Sequence, residues 1–216
     1  MNETLLITAA ERLLTAIELY FANEEDVKLF KSRDLASCVL NHAAAAGVAA
    51  MAGGVLPAAG SVVAVTIVAG AIWRMYIKIC KIIGVHFGKN KLKAISSAVL
   101  TNIITQLAGV FAIQLATSFI PGAAVIILGI GNFAITYFAG LIFLNVLTEL
   151  FGSRRQDIDD LNTEDWKESI KSAMSHIDKK AVFKESKEIF NELRKNGSLE
   201  SMGKNVDISA EEDTLD

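Results

Sequence analysis

Two cysteines and two prolines are all that the 216 residues contain of either type. Cys38 and Cys80 cannot make a disulfide framework, and no Cys-x-x-Cys offers a dithiol or zinc motif. Such cysteines read as small apolar residues. Pro57 and Pro121 both fall inside apolar stretches, so they act there as punctuation. Charge is missing from two long segments. Residues 43–73 carry none over 31 positions, and residues 94–148 carry none over 55. Ion-coupled transporters place ionisable groups within such segments, so this chain is not expected to be one.

Nucleotide and metal motifs are absent as well. No Gly-x-x-x-x-Gly-Lys-Ser/Thr loop occurs, which excludes GTP or ATP binding of that kind. Gly84-x-x-x-Gly88-Lys89 has the wrong spacing and is followed by Asn90. His42, His86 and His176 share no ligand spacing. Asp157, Asp159 and Asp160 lack the glycine and terminal glutamate of a calcium loop. With no catalytic constellation to assemble, the expectation is a protein that is not an enzyme and uses no cofactor or metal. A net charge of −3 argues against nucleic acid as partner. The segment from Met1 to Arg12 has no basic start or continuous apolar run, so it is not expected to be a signal peptide.

What is present is apolar mass arranged in two blocks. Hydrophobic residues make up 52% of the chain and the mean hydropathy is +0.40, high for a water-soluble domain. The first block runs from Leu35 to about Ile77. One helix crosses the hydrocarbon core with about 20 residues, so the block is too long for a single span. Gly53, Gly54, Pro57 and Gly60 supply turn chemistry at its centre. Two arms are expected, 36–55 and 58–77, with a single kinked helix as the alternative. The second block repeats the plan around Pro121-Gly122, with arms at 96–119 and 123–148. An offset of 64 residues aligns Pro57 with Pro121 and Trp73 with Tyr137. This reads as two tandem helical hairpins, although two apolar helices also resemble each other by composition alone.

The linker from Arg74 to Lys93 holds Arg74, Lys78, Lys81, Lys89, Lys91 and Lys93 and no acidic residue. Short basic loops stay on the cytoplasmic side of a membrane. Four spans would then put both hairpin tips outside and both chain ends in the cytoplasm. The arms are rich in Ala and Gly, which permits close helix packing or shallow insertion.

The ends of the chain are amphipathic. Residues 1–34 are expected to form two short helices, the first carrying Leu5, Leu6, Ala9, Leu13, Ile17 and Tyr20 at helical spacing. Residues 152–203 are expected to form soluble helices. Asn162 or Thr163 opens one with the stripe Trp166, Ile170, Met174 and Ile177. Asp178 opens the next, with Val182, Phe183, Ile189, Phe190 and Leu193 on one side and Gly197 as its stop. These stripes suit packing against the N-terminal helices. The sharper alternative is a partner-docking surface made of Trp166, Ile170, Met174, Phe183 and Phe190. Residues 204–216 are acidic and read as a disordered tail.

Several short motifs also carry a resemblance. They are Leu56-Pro57-Ala58-Ala59-Gly60, Arg74-Met75-Tyr76-Ile77, Ile82-Ile83-Gly84-Val85, Ile120-Pro121-Gly122 and Thr136-Tyr137-Phe138-Ala139-Gly140. Together they resemble a bacterial family of GTPase-associated membrane domains, domain of unknown function 697, which includes the YcjF type. The resemblance covers about residues 40–147. It departs at Ser61-Val62, where the family often has an acidic residue, and no GTPase domain precedes the hairpins. The family implies association with a GTPase or a stress-linked membrane complex.

The expected architecture is therefore all-α: two tandem hydrophobic hairpins over 35–151, flanked by amphipathic helices. The expected role is a non-enzymatic scaffold in the bacterial inner membrane, with membrane lipid and a protein partner, a GTPase or a second copy of the chain. Two alternatives stand beside it. One is a pore-forming or remodelling protein whose hairpins insert on demand. The other is a soluble or peripheral protein with the hairpins as its core.

Overall fold

A computed structural model describes residues 3–20, 32–53, 60–85, 88, 92–103, 123–152, 163–204 and 206. The fold is all-α, with eight helices and no strand among the described residues. They are α1 (Thr4–Tyr20), α2 (Ser32–Gly53), α3 (Gly60–Ile83), α4 (Leu92–Ile103), α5 (Ala123–Gly152), α6 (Thr163–Ser175), α7 (Lys179–Lys195) and α8 (Ser198–Lys204).

The organising element is α5. It holds no charge before Glu149, and its residues are apolar on every side. A helix of that kind must be enclosed by protein or lipid. Here it is enclosed by protein: α1, α2, α3, α6 and α7 all pack on it. Phe133, Tyr137, Phe143, Leu147 and Phe151 are buried along its length.

The first hairpin forms as expected. Helix α2 ends at Gly53 and α3 starts at Gly60. Cys38 Sγ lies 4.0 Å from the Met75 carbonyl oxygen, and each of these residues is 15 positions from its end of the connection. That symmetry requires a reversal between the helices, which removes the kinked-helix alternative. Gly54 and Pro57 lie outside the described residues, as do Pro121 and Gly122.

The remaining directions follow from contacts. Val39 meets Gly140 while Gly47 and Met51 meet Gly129, so α2 and α5 are antiparallel. Helices α3 and α5 therefore run parallel. Tyr76 on α3 stacks on Phe143 with centroids 3.9 Å apart and donates a 3.0 Å hydrogen bond to the Ala139 carbonyl. These partners sit 63 and 67 positions later, close to the 64-residue offset in the sequence. Lys93 lies over Trp73, and Ala69 shares a cavity with Leu100, so α4 is antiparallel to α3.

Close approach of α2 and α5 depends on missing side chains at Gly47, Gly129 and, most tightly, Gly140. A Cβ at Gly140 would lie 2.5 Å from Val39 Cγ1, 2.8 Å from Cγ2 and 3.2 Å from Cβ. Small residues therefore set this helix pair's spacing, as the Ala/Gly-rich arms imply.

The terminal helices wrap the pair. On α1, Leu6, Ala9, Leu13 and Ile17 are buried, and Glu11, Arg12 and Glu18 face out. The N-terminal region was expected to hold two short helices; only α1 is described there, and the next begins at Ser32 as part of α2. Asp178 caps α7, its Oδ1 accepting from the N–H groups of Lys180 (2.9 Å) and Ala181 (3.2 Å). The expected stop is also there, with Gly197 at φ +74° after α7. The unexpected α8 follows at once. Leu199 and Gly203 are buried, and a Cβ at Gly203 would sit 3.3 Å from Ala45 Cα.

Two helices are long and apolar enough to cross a membrane among the described residues, Ser32–Ala52 and Val125–Gly152. Four were expected. Of the other two arms, the side chains of α3 are described only from Val68, and the arm 96–119 only to Ile103.

Candidate functional site

The helix directions divide the bundle into two unlike ends. One end gathers the start of α2, the finish of α3, the start of α4 and the finish of α5. It carries Arg33, Asp34, Arg74, Lys78, Lys81, Lys93 and Glu149. Lys78, Lys81 and Lys93 are exposed and Arg74 is half-buried. Lys89 and Lys91 lie outside the described residues. The other end gathers the finish of α2 and the starts of α3 and α5, with α4 running toward it. No charge occurs on α2 after Asp34, on α3 before Arg74, or on α5 before Glu149. The sequence between α2 and α3 (54–59) and between α4 and α5 (104–122) carries none either. At this end Ala52 is exposed, and Met51 and residues 125–128 are half-buried.

Two faces also differ. Helices α1, α6, α7 and α8 gather on α2 and α5, whereas α3 and α4 form the other side. Of these, α7 crosses α2 and α5 close to the uncharged end, whereas α6 meets the charged end at Glu149. A Cβ at Gly47 would be 3.1 Å from the Gly129 carbonyl and 3.2 Å from Phe190 of α7. Gly47 and Gly129 are each six residues from the helix end, or ~9 Å at 1.5 Å per residue. On its outer face α7 exposes Lys184, Lys187, Glu188, Glu192, Arg194 and Lys195.

One polar cluster fastens this arrangement. Glu185 Oε1 accepts a 2.6 Å hydrogen bond from the Tyr137 hydroxyl of α5 and a 3.1 Å bond from the Leu5 N–H at the start of α1. A carboxylate at a helix start satisfies an orphan donor and complements the dipole. Glu185 thus joins α1, α5 and α7. Phe190 adds an edge-on contact to Phe133 at 5.6 Å. Helix α6 is joined by Ser172, whose hydroxyl donates to Glu149 at 3.0 Å.

The residues considered for partner docking are in the core instead. Trp166, Ile170, Met174 and Phe190 are each at most 5% exposed, and Phe183 is half-buried. Their apolar area is covered by the chain itself, so in this fold they offer no docking surface. Cys38 and Cys80 are also buried, as small apolar residues are. His42 is buried on α2, its Nδ1 2.7 Å from the Cys38 carbonyl. Burial is the main cause that holds its pKa below the ordinary imidazole range. Among the described residues, no three His, Cys, Asp or Glu side chains come together as a metal site.

The Glu185 cluster was missed in the sequence, although a signal existed. Glu185 lies three residues after Val182 and four before Ile189, so a carboxylate sits on the buried stripe of α7.

No family model matches the chain, and no curated protein or solved structure matches it. The resemblance to GTPase-associated membrane domains rests on the quoted motifs.

Proposed function

We propose that this is a non-enzymatic, membrane-associated helical protein that meets the bilayer with its charge-free end and its α3/α4 side. Helices α1, α6, α7 and α8 stay in water as a clasp over α2 and α5. The observation that carries this reading is the position of α7. Among the described residues, ~9 Å of α2 and α5 extends beyond Phe190, against about 30 Å of hydrocarbon, and α7 runs on toward that end with Glu192, Arg194 and Lys195 exposed. A full span by α2 or α5 would draw Lys187, Glu188 and Glu192 into the membrane, at about 2.5–3.5 kcal/mol for each such charge at the bilayer centre. The clasped form is therefore peripheral or shallowly inserted. It acts as a scaffold presenting polar helix faces to the cytoplasm. A GTPase partner, which the resemblance implies, would meet the exposed faces of α6 and α7 or displace them.

A second reading has its own support. Val125–Gly152 is long enough to cross a bilayer and is covered by helices that are separate, amphipathic and terminal. Release of the clasp would free the hairpins to insert on demand.

Vesicle flotation distinguishes these readings. Detergent-free protein should float with anionic vesicles and be released by alkaline carbonate. Failure to float would overturn the membrane role. Carbonate-resistant flotation together with dye leakage would overturn the peripheral form and favour insertion.

A further inference from the structure

Between α3 and α4 lies a cavity of about 220 Å³, lined by Ala69, Trp73, Lys93, Ser96, Ser97 and Leu100. Its lining is sorted by chemistry. Of these, Ala69, Leu100 and Trp73 are apolar, and Lys93, Ser96 and Ser97 carry a cation and two hydroxyls, that of Ser96 enclosed. Lys93 Nζ stands 5.8 Å from the centroid of the Trp73 ring. An indole face attracts a cation but accepts no strong hydrogen bond, so the ammonium keeps its donors. Lys93 has no carboxylate partner among the described residues. Ser96 is 91% buried, being 9% exposed, and its hydroxyl has no hydrogen-bond partner. A buried hydroxyl without a partner is uncommon in a folded protein.

Position adds a third argument. Lys93 is the last charge before the 55 uncharged residues, and Arg74 is the first after the preceding 31. Ala69 and Trp73 stand nine and thirteen residues from the start of α3, a depth of ~14–20 Å. One leaflet of hydrocarbon is about 15 Å thick, half of the core. The cavity thus lies at headgroup depth if the α3/α4 side enters one leaflet, with α2 and α5, limited to ~9 Å by α7, entering less deeply. Aromatic side chains favour that zone.

We propose that this cavity binds the phosphate group of an anionic phospholipid. Lys93 pairs with the phosphate, and Ser96 and Ser97 donate to its oxygens. Trp73 and Leu100 cover the first part of an acyl chain. The inference rests on the membrane reading above, but binding of a soluble lipid can be measured without a bilayer.

Trp166→Phe leaves Trp73 as the sole tryptophan. Its emission is followed while dihexanoyl phosphatidic acid, kept below its micelle concentration, is added. Parallel titrations use dihexanoyl phosphatidylcholine and inorganic phosphate. The expected result is a saturable change with phosphatidic acid alone, about tenfold weaker in Lys93→Gln, as loss of one charge-assisted hydrogen bond implies. Ser96→Ala should also weaken it, and far-ultraviolet circular dichroism checks that each variant is folded. Equal response to phosphatidylcholine overturns the role of the cation. Saturation by inorganic phosphate at the same concentrations overturns the lipid assignment in favour of a free anion. No response to any ligand, or an unchanged response in folded Lys93→Gln, overturns the site. Binding of monomeric lipid without vesicle flotation would leave the site standing and remove the membrane reading. Flotation without lipid binding would do the reverse.

Discussion

Alanine at position 140 would test the α2–α5 packing at its tightest glycine contact. The new Cβ would stand 2.5 and 2.8 Å from the two Cγ atoms of Val39 and 3.2 Å from its Cβ. Rotation about χ1 moves the Cγ atoms but not the Cβ, so the helices must separate. Overpacking of this kind costs about 1–3 kcal/mol, and three close atoms of one stiff side chain place Gly140→Ala at the upper end. Replacing a helical glycine by alanine returns about 1 kcal/mol of propensity. The net loss is about 2 kcal/mol, or roughly 4–8 °C in Tm for a domain of this size. Val39→Ala alone removes two methyl groups from the core and costs about 1.6 kcal/mol. In the double variant the Gly140→Ala methyl enters the space left by Val39, so the losses should not add. A double-mutant cycle by urea unfolding should give a favourable coupling of about 1–2 kcal/mol. Additivity within about 0.5 kcal/mol, the behaviour of independent sites, would refute the packing described here.

Two further outcomes follow from the buried polar groups. Tyr137→Phe and Glu185→Gln should each destabilise by about 1–2 kcal/mol, as loss of a hydrogen bond to a partly buried carboxylate implies; hydrogen exchange should rise in α1 and α7 together, whereas a rise confined to one helix would contradict the three-helix cluster. His42 is depressed by burial, so folding disfavours its protonation. Its contribution is complete above the ordinary imidazole pKa of about 6.5 and is lost as pH falls below it. Between pH 7.5 and 5.5, wild-type Tm should fall further than that of His42→Phe, and parallel curves would reject the assignment.

Helix type and many boundaries were legible because they depend on local signals. A break between the first two apolar arms was expected from the glycines and Pro57, and the described helices end at Gly53 and begin at Gly60. Asp178 and Gly197 marked both ends of α7 through a cap and a positive φ. What covers α5 was not legible. A helix apolar on all sides has the same pattern whether its neighbours are lipids or α1, α6 and α7. Only the tertiary contacts of Phe190, Trp166 and Leu13 decide between them. The stripe of α7 was readable as a stripe, but not its destination at Gly47 and Gly129. Likewise Tyr76 and Ala139 are too far apart in sequence for any local rule to pair them.

The central claim is that the uncharged end enters the bilayer while α7 remains in water. Ala52 is exposed at that end and Lys187 is exposed on α7. Each would be replaced by cysteine in a background lacking Cys38 and Cys80, and labelled with an environment-sensitive nitrobenzoxadiazole fluorophore. On adding anionic vesicles, the account predicts a blue shift and intensity gain at 52 with no change at 187. No change at 52, or an equal shift at both positions, would contradict it.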